Sequence, residues 1–171
     1  FCAVSSSQRY RVAISPNGQD WELIDTNVPT LRRAWWCLEW SSKLNMFVAL
    51  SPNDIGNASM YSYNGREWFS GVTPGTEDIG EIEEGDEEEG EGGDTEIPAG
   101  ATRYNWRSIS WSPQLGIFVG VSSASIDSET GNVIPDENGE LNRLITSVDG
   151  VNWRLRISAA YNSWWGITWS P

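Results

Sequence analysis

The sequence predicts an all-β fold made of repeated, antiparallel, four-stranded sheets. Three short motifs follow one another in the same order three times along the 171 residues, which indicates a repeat architecture. Apolar residues alternate within the motifs as they do along strands, and Asn-Gly or Asp-Gly pairs mark tight turns. Successive third motifs begin at Ser15 and Ser62, 47 positions apart, a spacing typical of one four-stranded repeat.

The first motif reads Trp-x-x-Ile/Leu-x-Trp-Ser and predicts the first strand of each unit. Alternation places Leu38 and Trp40 on the same face of this strand, because side chains two apart share a face. Residues 112–116 (Ser-Pro-Gln-Leu-Gly) predict the turn that leads into the next strand. The motif occupies residues 35–42, 106–113 and 164–171.

The second motif reads Phe-Val-x-Val-Ser and predicts the second strand. Its apolar residues are consecutive, as in residues 47–50 (Phe-Val-Ala-Leu). A strand of this kind is buried on both faces, so each sheet is expected to have a neighbour on either side. The motif occupies residues 1–5, 47–51 and 118–122.

The third motif reads Ser-x-Asn/Asp-Gly-x-x-Trp and predicts the turn between the third and fourth strands. The third strands are expected at 12–14, 60–61 and 144–145, and the fourth strands from the motif Trp onward. Gly after Asn or Asp supplies a positive φ at little cost and closes a hairpin. The residues assigned to this structural turn are Ser15, Asn17, Gly18, Trp21, Ser62, Asn64, Gly65, Trp68, Ser147, Asp149, Gly150 and Trp153.

Radial packing gives every four-stranded sheet a neighbour on both sides, so a β-propeller is the predicted architecture. We expect a single propeller segment over residues 1–171, with units at about 1–46, 47–117 and 118–171. Two insertions lengthen the later units, at about 74–102 and 124–142. Three blades do not close a ring, since propellers typically have four to eight. Either flanking sequence supplies more blades or copies of the chain associate.

The third motif resembles the Asp-box of sialidase-like (BNR) propellers, with residues 147–153 the nearest match. Asn replaces Asp in the other two copies. The resemblance implies a structural turn at the blade rim, not a catalytic site. The fuller pattern, best seen in residues 106–121, is similar to repeats in virion and tail-associated proteins of tailed phages and large DNA viruses.

The net charge of −13 comes from one insertion. Residues 77–96 hold 12 of the 24 acidic residues and no base, so the rest of the chain, with 11 basic residues, is close to neutral. Such a run predicts a solvated spacer, with Ca²⁺ binding as a less favoured alternative because no regular ligand spacing is present. No basic stripe exists to neutralise phosphates, which argues against nucleic-acid binding.

The composition does not favour an enzyme. The chain contains no His, which excludes a Ser-His-Asp triad. Sialidase chemistry would need a convergent arginine cluster, and the arginines do not fall at equivalent repeat positions. A two-carboxylate glycosidase would need a partner for Glu39, the only carboxylate on a predicted first strand. We therefore expect no catalytic residues, no cofactor and no metal site.

Eleven Trp residues raise the possibility of sugar-stacking platforms, but nine lie on the repeat registers and are expected to pack between blades. Trp36 and Trp165 lie off those registers, with Arg107 at the equivalent position of the middle unit, and core packing is favoured there too. Cys2 and Cys37 are expected to remain unpaired. The better surface candidates for ligand contact are Tyr10, Tyr104 and Tyr161.

The sequence therefore favours a non-enzymatic propeller module of a virus particle, in a tail, fibre, spike or capsid surface, that serves assembly or host attachment. Its expected partners are other virion proteins or further blades of the same protein, with a host-surface glycan or receptor as a further option. A lectin-like propeller is the alternative, and a degenerate sialidase-like glycoside hydrolase is the second alternative. No apolar run approaches the roughly 18 residues of a membrane span, so membrane insertion is not expected.

Overall fold

A computed structural model describes residues 1–6, 10–26, 34–54, 58–74, 104–123, 143–160 and 162–171. The regular elements of these ranges are strands, and the all-β prediction is confirmed. Both predicted insertions, about 74–102 and 124–142, lie almost entirely outside the described residues. No helix within the described ranges is long and apolar enough to cross a membrane. The strands are β1 (Cys2–Val4), β2 (Val12–Ile14), β3 (Glu22–Ile24), β4 (Cys37–Ser41), β5 (Met46–Leu50), β6 (Pro52–Asp54), β7 (Ser59–Ser62), β8 (Phe69–Gly71), β9 (Tyr104–Ser112), β10 (Ile117–Ser123), β11 (Leu144–Ser147) and β12 (Arg154–Arg156).

The strands form three sheets with antiparallel pairing throughout. The first sheet has the order β1-β2-β3, the second β4-β5-β7-β8, and the third β9-β10-β11-β12 with β6 added beside β9. Each sheet follows the predicted strand order. The first sheet, however, lacks the strand that the first motif contributes, which we term the inner strand. The strand β6 was not predicted; its residues leave the second sheet after β5 and pair with the start of β9.

The inner and second strands of each complete sheet share one register. Trp40 lies opposite Phe47 in the second sheet, and Trp111 lies opposite Phe118 in the third. The turn between them is held by a serine hydroxyl, which accepts the amide of Leu44 at 3.1 Å in one sheet and of Leu115 at 3.1 Å in the other. This hydroxyl is the motif Ser, at 41 and 112, and it explains why Ser follows the second Trp of the motif.

The core lies between neighbouring sheets, on both faces of the second sheet. Met46, Val48 and Leu50 of β5 belong to a cluster shared with the third sheet, whereas Phe47 and Ala49 belong to a cluster shared with the first. This alternation confirms the prediction of burial on both faces. Complete burial of a side chain of this size contributes about 1.5–3 kcal/mol, so packing between the sheets is a large stabilising contribution.

The predicted strand at residues 164–171 is not part of any sheet. Residues 162–171 are described but pair with no strand in the described part of the chain. They lie against β9 instead, through hydrogen bonds from the amide of Ile167 to the Ser108 hydroxyl at 3.2 Å and from the amide of Trp169 to the Ser110 hydroxyl at 3.0 Å. A strand needs a partner edge for its backbone groups, and the described residues offer this segment none.

Candidate functional site

The three Ser-x-Asn/Asp-Gly-x-x-Trp turns adopt the same geometry. In each, the Ser hydroxyl accepts the Gly amide, at 2.8 Å for Ser15, 2.8 Å for Ser62 and 2.9 Å for Ser147. The side-chain oxygen of the Asn or Asp accepts hydrogen bonds from the backbone amides two and three residues further along the chain, at 2.8–2.9 Å. The Gly residues have φ between 73° and 76°, the left-handed region that other residues rarely adopt. These bonds satisfy the turn from within, which makes it a scaffold element.

The third turn exchanges the donor and the acceptor of one side-chain pair. In the first turn the Asn17 amide donates to the Asp20 carboxylate at 2.8 Å, whereas in the third the Asn152 amide donates to the Asp149 carboxylate at 2.8 Å. Burial by itself would raise the pKa of Asp149. The hydrogen bonds from Asn152, the Val151 amide and the Ser147 hydroxyl outweigh it and lower the pKa to about 2. Asp149 is therefore an ionised structural acceptor.

The Trp that closes each turn differs in exposure from sheet to sheet. Trp68 and Trp153 are buried, at 3% and 6% exposed, because the preceding sheet covers them. Trp21 is 47% exposed, since no sheet in the described structure precedes the first. An identical motif thus gives a packed Trp at two positions and an accessible Trp at the third.

A groove lies where Trp21 is exposed, between the first and second turns. Its volume is about 560 Å³. The Arg66 guanidinium crosses from the second turn to the Glu22 carboxylate of β3 with two bonds, at 2.7 and 2.6 Å. This hydrogen bond lowers the pKa of Glu22 and raises that of Arg66. The aromatic walls are Phe1, Trp21 and Phe47, and the polar groups include Asp20, Glu22 and Arg66.

The groove combines aromatic faces with carboxylate and guanidinium groups. Aromatic faces can stack on sugar rings, and the charged groups can exchange hydrogen bonds with hydroxyls. Trp21 was predicted as a structural turn residue, and its accessibility was missed. The motif itself carries no signal for this difference, because Trp68 and Trp153 occupy the same motif position and are covered by the preceding sheet.

A second cluster lies along the inner strands, where the Arg107 guanidinium is held between two tryptophans. Its central carbon is 4.0 Å from the Trp36 ring and 4.7 Å from the Trp165 ring. Its Nε donates to the Ser123 hydroxyl at 2.8 Å, and desolvation lowers its pKa. These are the three equivalent, off-register positions of the first motif, so the stack links the second sheet, the third sheet and the 162–171 segment.

The three candidate tyrosines are placed differently. Tyr104 is 4% exposed and stacks on Trp106 at 5.2 Å, so the structure puts it in the core and not at the surface expected from the sequence. Tyr104 is the first residue of β9, and its side chain lies in the hydrophobic cluster that the third sheet shares with the second. Tyr10 is 40% exposed, and Tyr161 lies outside the described residues. The structure therefore does not bring the three together.

Glu39, the carboxylate on which hydrolase chemistry would depend, is engaged in the scaffold. Burial raises its pKa, and a hydrogen bond from the backbone of Trp111 partly offsets the rise. Cys2 and Cys37 are both free thiols in this structure. Within the described ranges no group of three or more His, Cys, Asp or Glu side chains is arranged to hold a metal ion.

Comparison of this chain with models of protein families, with curated proteins and with solved structures finds no match, so the geometry has to support a function by itself.

Proposed function

We propose that this chain is a segment of a β-propeller that serves as a non-enzymatic assembly or attachment module of a virus particle. The observation that carries the propeller is a contact repeated from one inner strand to the next. The Trp111 amide of β9 donates to the Glu39 side chain of β4, and the Trp169 amide donates to the Ser110 side chain of β9. A constant step between inner strands generates a ring.

The contact between the second strand of one sheet and the inner strand of the next repeats in the same way. The amide of Trp35 donates to the carbonyl of Ser5 at 3.2 Å, and the amide of Trp164 donates to the carbonyl of Ser122 at 3.2 Å. Trp35 opens the inner-strand motif that follows the first sheet, and Trp164 opens the same motif after the third sheet. Two independent contacts thus support the same rotation from sheet to sheet.

A particle role is supported by the contacts that the recurring residues of the repeat make. The Ser, Asn or Asp and Gly of each turn bond to one another, and the inner-strand carboxylate bonds to the backbone. The repeat residues serve scaffold contacts, while Phe1, 75% exposed beside β1, and Trp165 of the 162–171 segment, 66% exposed, present aromatic surface. Exposed aromatics of this kind are typical of protein contact surfaces. The similarity to virion repeats supplies the virus particle as the location.

Electron microscopy of the assembly in which the protein occurs tests this function. We expect a ring of four-stranded blades packed against neighbouring proteins of the particle. A free chain whose sheets do not lie around one axis would contradict the propeller. A ring that occurs only as a separate soluble protein would contradict the particle role.

A second candidate function is glycan binding in the groove beside Trp21. It is favoured by an exposed Trp face flanked by Asp20, Glu22 and Arg66. A glycan array followed by titration of any hit tests it. We expect W21A to abolish binding and Y63A, at another aromatic that is 58% exposed, to leave binding unchanged. Absence of any bound sugar at millimolar concentration would exclude this function.

A further inference from the structure

The first sheet has an open inner edge whose backbone groups are arranged for pairing. Phe1 and Ser15 exchange both backbone hydrogen bonds, at 2.6 and 2.9 Å, and the Ser5 amide donates to the Arg11 carbonyl at 2.9 Å. Phe1 and Ser5 therefore point towards β2. Because successive residues of a strand point to opposite sides, the backbone groups of Cys2 and Val4 face the open edge, where the described residues provide no partner strand.

The 162–171 segment has the complementary arrangement. The amides of Ile167 and Trp169, two positions apart, both donate to β9, which is the period of an extended chain. The amides of Gly166 and Thr168 are consequently turned away from β9. Both residues are exposed, and in the described part of the chain no strand pairs with them.

The repeat specifies the register in which this segment would pair with β1. Val48 lies opposite Glu39 and Leu50 opposite Cys37 in the second sheet, and the third sheet has the same register. The equivalent pairs are Thr168 with Cys2 and Gly166 with Val4. The alternation of hydrogen bonds along each segment had already turned the backbone groups of these four residues away from β2 and β9. The register of the repeat and the direction of the hydrogen bonds therefore agree.

The aromatic side chains are complementary in the same register. Trp40, Phe47 and Trp68 form one row of ring contacts at 4.5 and 6.5 Å, and the third sheet repeats it at 4.6 and 6.1 Å. The first sheet has only the second and third members, Phe1 and Trp21, both exposed. Trp169, 36% exposed, is the missing first member in sequence and is placed opposite Phe1 by the register.

The outer faces also match. In the second sheet Met46 and Val48 are 1% and 0% exposed because the third sheet covers them. The equivalent residues of the third sheet, Ile117 and Val119, are only partly buried. The open face of the first sheet, which carries Phe1 and Trp21, is the kind of face that could cover Ile117 and Val119.

We propose that the 162–171 segment supplies the missing inner strand of the first sheet in a second copy of the chain, and that the exchange is reciprocal. Two copies of the three described sheets give six, a number that lies within the four to eight blades that propellers have. The inference rests on the propeller arrangement proposed above and names its partner. The exchange buries Trp21 and Phe1 and removes the exposed sheet edge.

A disulfide trap tests the exchange with the full 171-residue chain. T168C places a thiol opposite the native Cys2 of the other copy, at a cross-strand spacing that a disulfide can span. With oxidised glutathione as the oxidant, we expect a covalent dimer whose mapped disulfide joins position 168 to Cys2. S170C, two residues further along the same segment, and T168C/C2S are the controls, and neither should form it.

The mass of the product separates the possible occupants of the edge. The same disulfide within one chain would overturn the exchange, because the segment would then close its own first sheet. No disulfide with Cys2 would overturn it as well, because another segment, such as a further blade of a longer protein, would have to occupy the edge.

Backbone chemistry provides a second test that does not depend on oxidation. T168P removes the amide that pairs with Cys2 but leaves the amides of Ile167 and Trp169 on β9, whereas T168V keeps all three. In sedimentation at matched concentration, we expect the wild type and T168V to be dimers and T168P to be shifted at least tenfold towards monomer. A wild type that is monomeric, or a T168P that dimerises equally well, would contradict the proposal.

Imaging of the trapped dimer tests the strand exchange and the propeller function separately. A covalent dimer without a ring would retain the strand exchange and refute the propeller function. A ring built from an uncrosslinked single chain with further blades would refute the strand exchange and retain the propeller function.

Discussion

Asn152 donates its side-chain amide to the carboxylate of Asp149 at 2.8 Å, and this pair is the mirror of Asn17 and Asp20 in the first turn. The third residue of the motif and the residue three positions after it are one side-chain amide and one acid, in either order. The second turn follows the first, with the Asn64 amide 3.4 Å from the Glu67 carboxylate. The two positions are therefore coupled, and what the turn requires is one donor facing one acceptor.

Exchanging the pair in the third turn should restore what a single substitution removes. D149N places two amides opposite each other, and we expect it to lower the free energy of unfolding by about 1 kcal/mol, the scale of one partly exposed hydrogen bond to a charged group. D149N/N152D recreates the first turn's arrangement and should recover most of the loss. Urea unfolding measures both. Equal stability of the single and double variants would show that the positions are not coupled.

The stability that comes from Asp149 should disappear at very low pH. Its pKa in the folded protein, about 2, lies below the ordinary value of 3.8. A lowered pKa means that the contribution is present above the ordinary value and is lost as the pH falls through about 2. The stability difference between wild type and D149N should therefore be full near about pH 5 and shrink towards about pH 2. A difference that stays constant over this range would contradict the charged acceptor.

Trp111 of the first motif and Trp21 of the third motif should differ sharply in their contribution to stability. Trp111 is 5% exposed and contacts Phe118 at 4.6 Å, so W111A should cost about 3–5 kcal/mol as a large core truncation. W21A, at low protein concentration, should cost less than about 1 kcal/mol because the side chain is half exposed. Thermal or urea unfolding compares them. Similar losses for the two would mean that Trp21 is covered in the dilute chain.

Arg107 should hold the 162–171 segment against the third sheet. R107A removes the cation held between Trp36 and Trp165, a contact of about 0.5–2 kcal/mol. We expect the amides of Ile167 and Trp169 to exchange with deuterium several-fold faster in R107A. R154A, at an exposed residue of β12, is the matched control and should leave both rates unchanged. Unaltered exchange in R107A would show that the serine hydroxyls hold the segment without the stack.

The two free thiols should be poorly reactive in the folded protein. Burial raises the pKa of Cys37 to about 12 and that of Cys2 to about 11, so the reactive thiolate is scarce at neutral pH. With iodoacetamide at about pH 8 we expect Cys37 to stay unlabelled, Cys2 to react slowly, and both to react fully in urea. Mass spectrometry of the labelled peptides reads this out. Rapid labelling of Cys37 would show that the second sheet opens locally.

The sequence by itself determined the parts of this protein that are made by short-range contacts. The turns could be predicted because Ser15, Asn17 and Gly18 bond to one another within a few residues. Eleven of the twelve strands overlap predicted segments, since alternation and turn residues are local properties. The inference that each sheet is covered on both faces followed from the consecutive apolar residues of β5.

Only the tertiary structure decided which of the repeated residues are accessible. Trp21 and Trp68 occupy the same motif position, but one borders a groove and the other is covered, because exposure depends on which sheet stands beside each. Tyr104 is buried in the cluster between the second and third sheets, and residues 164–171 lie outside any sheet because the described residues offer them no adjacent edge. The stack of Arg107 joins three units that are far apart in sequence. A repeat motif specifies each sheet's internal bonds, whereas the contacts between sheets depend on how many neighbours each sheet has.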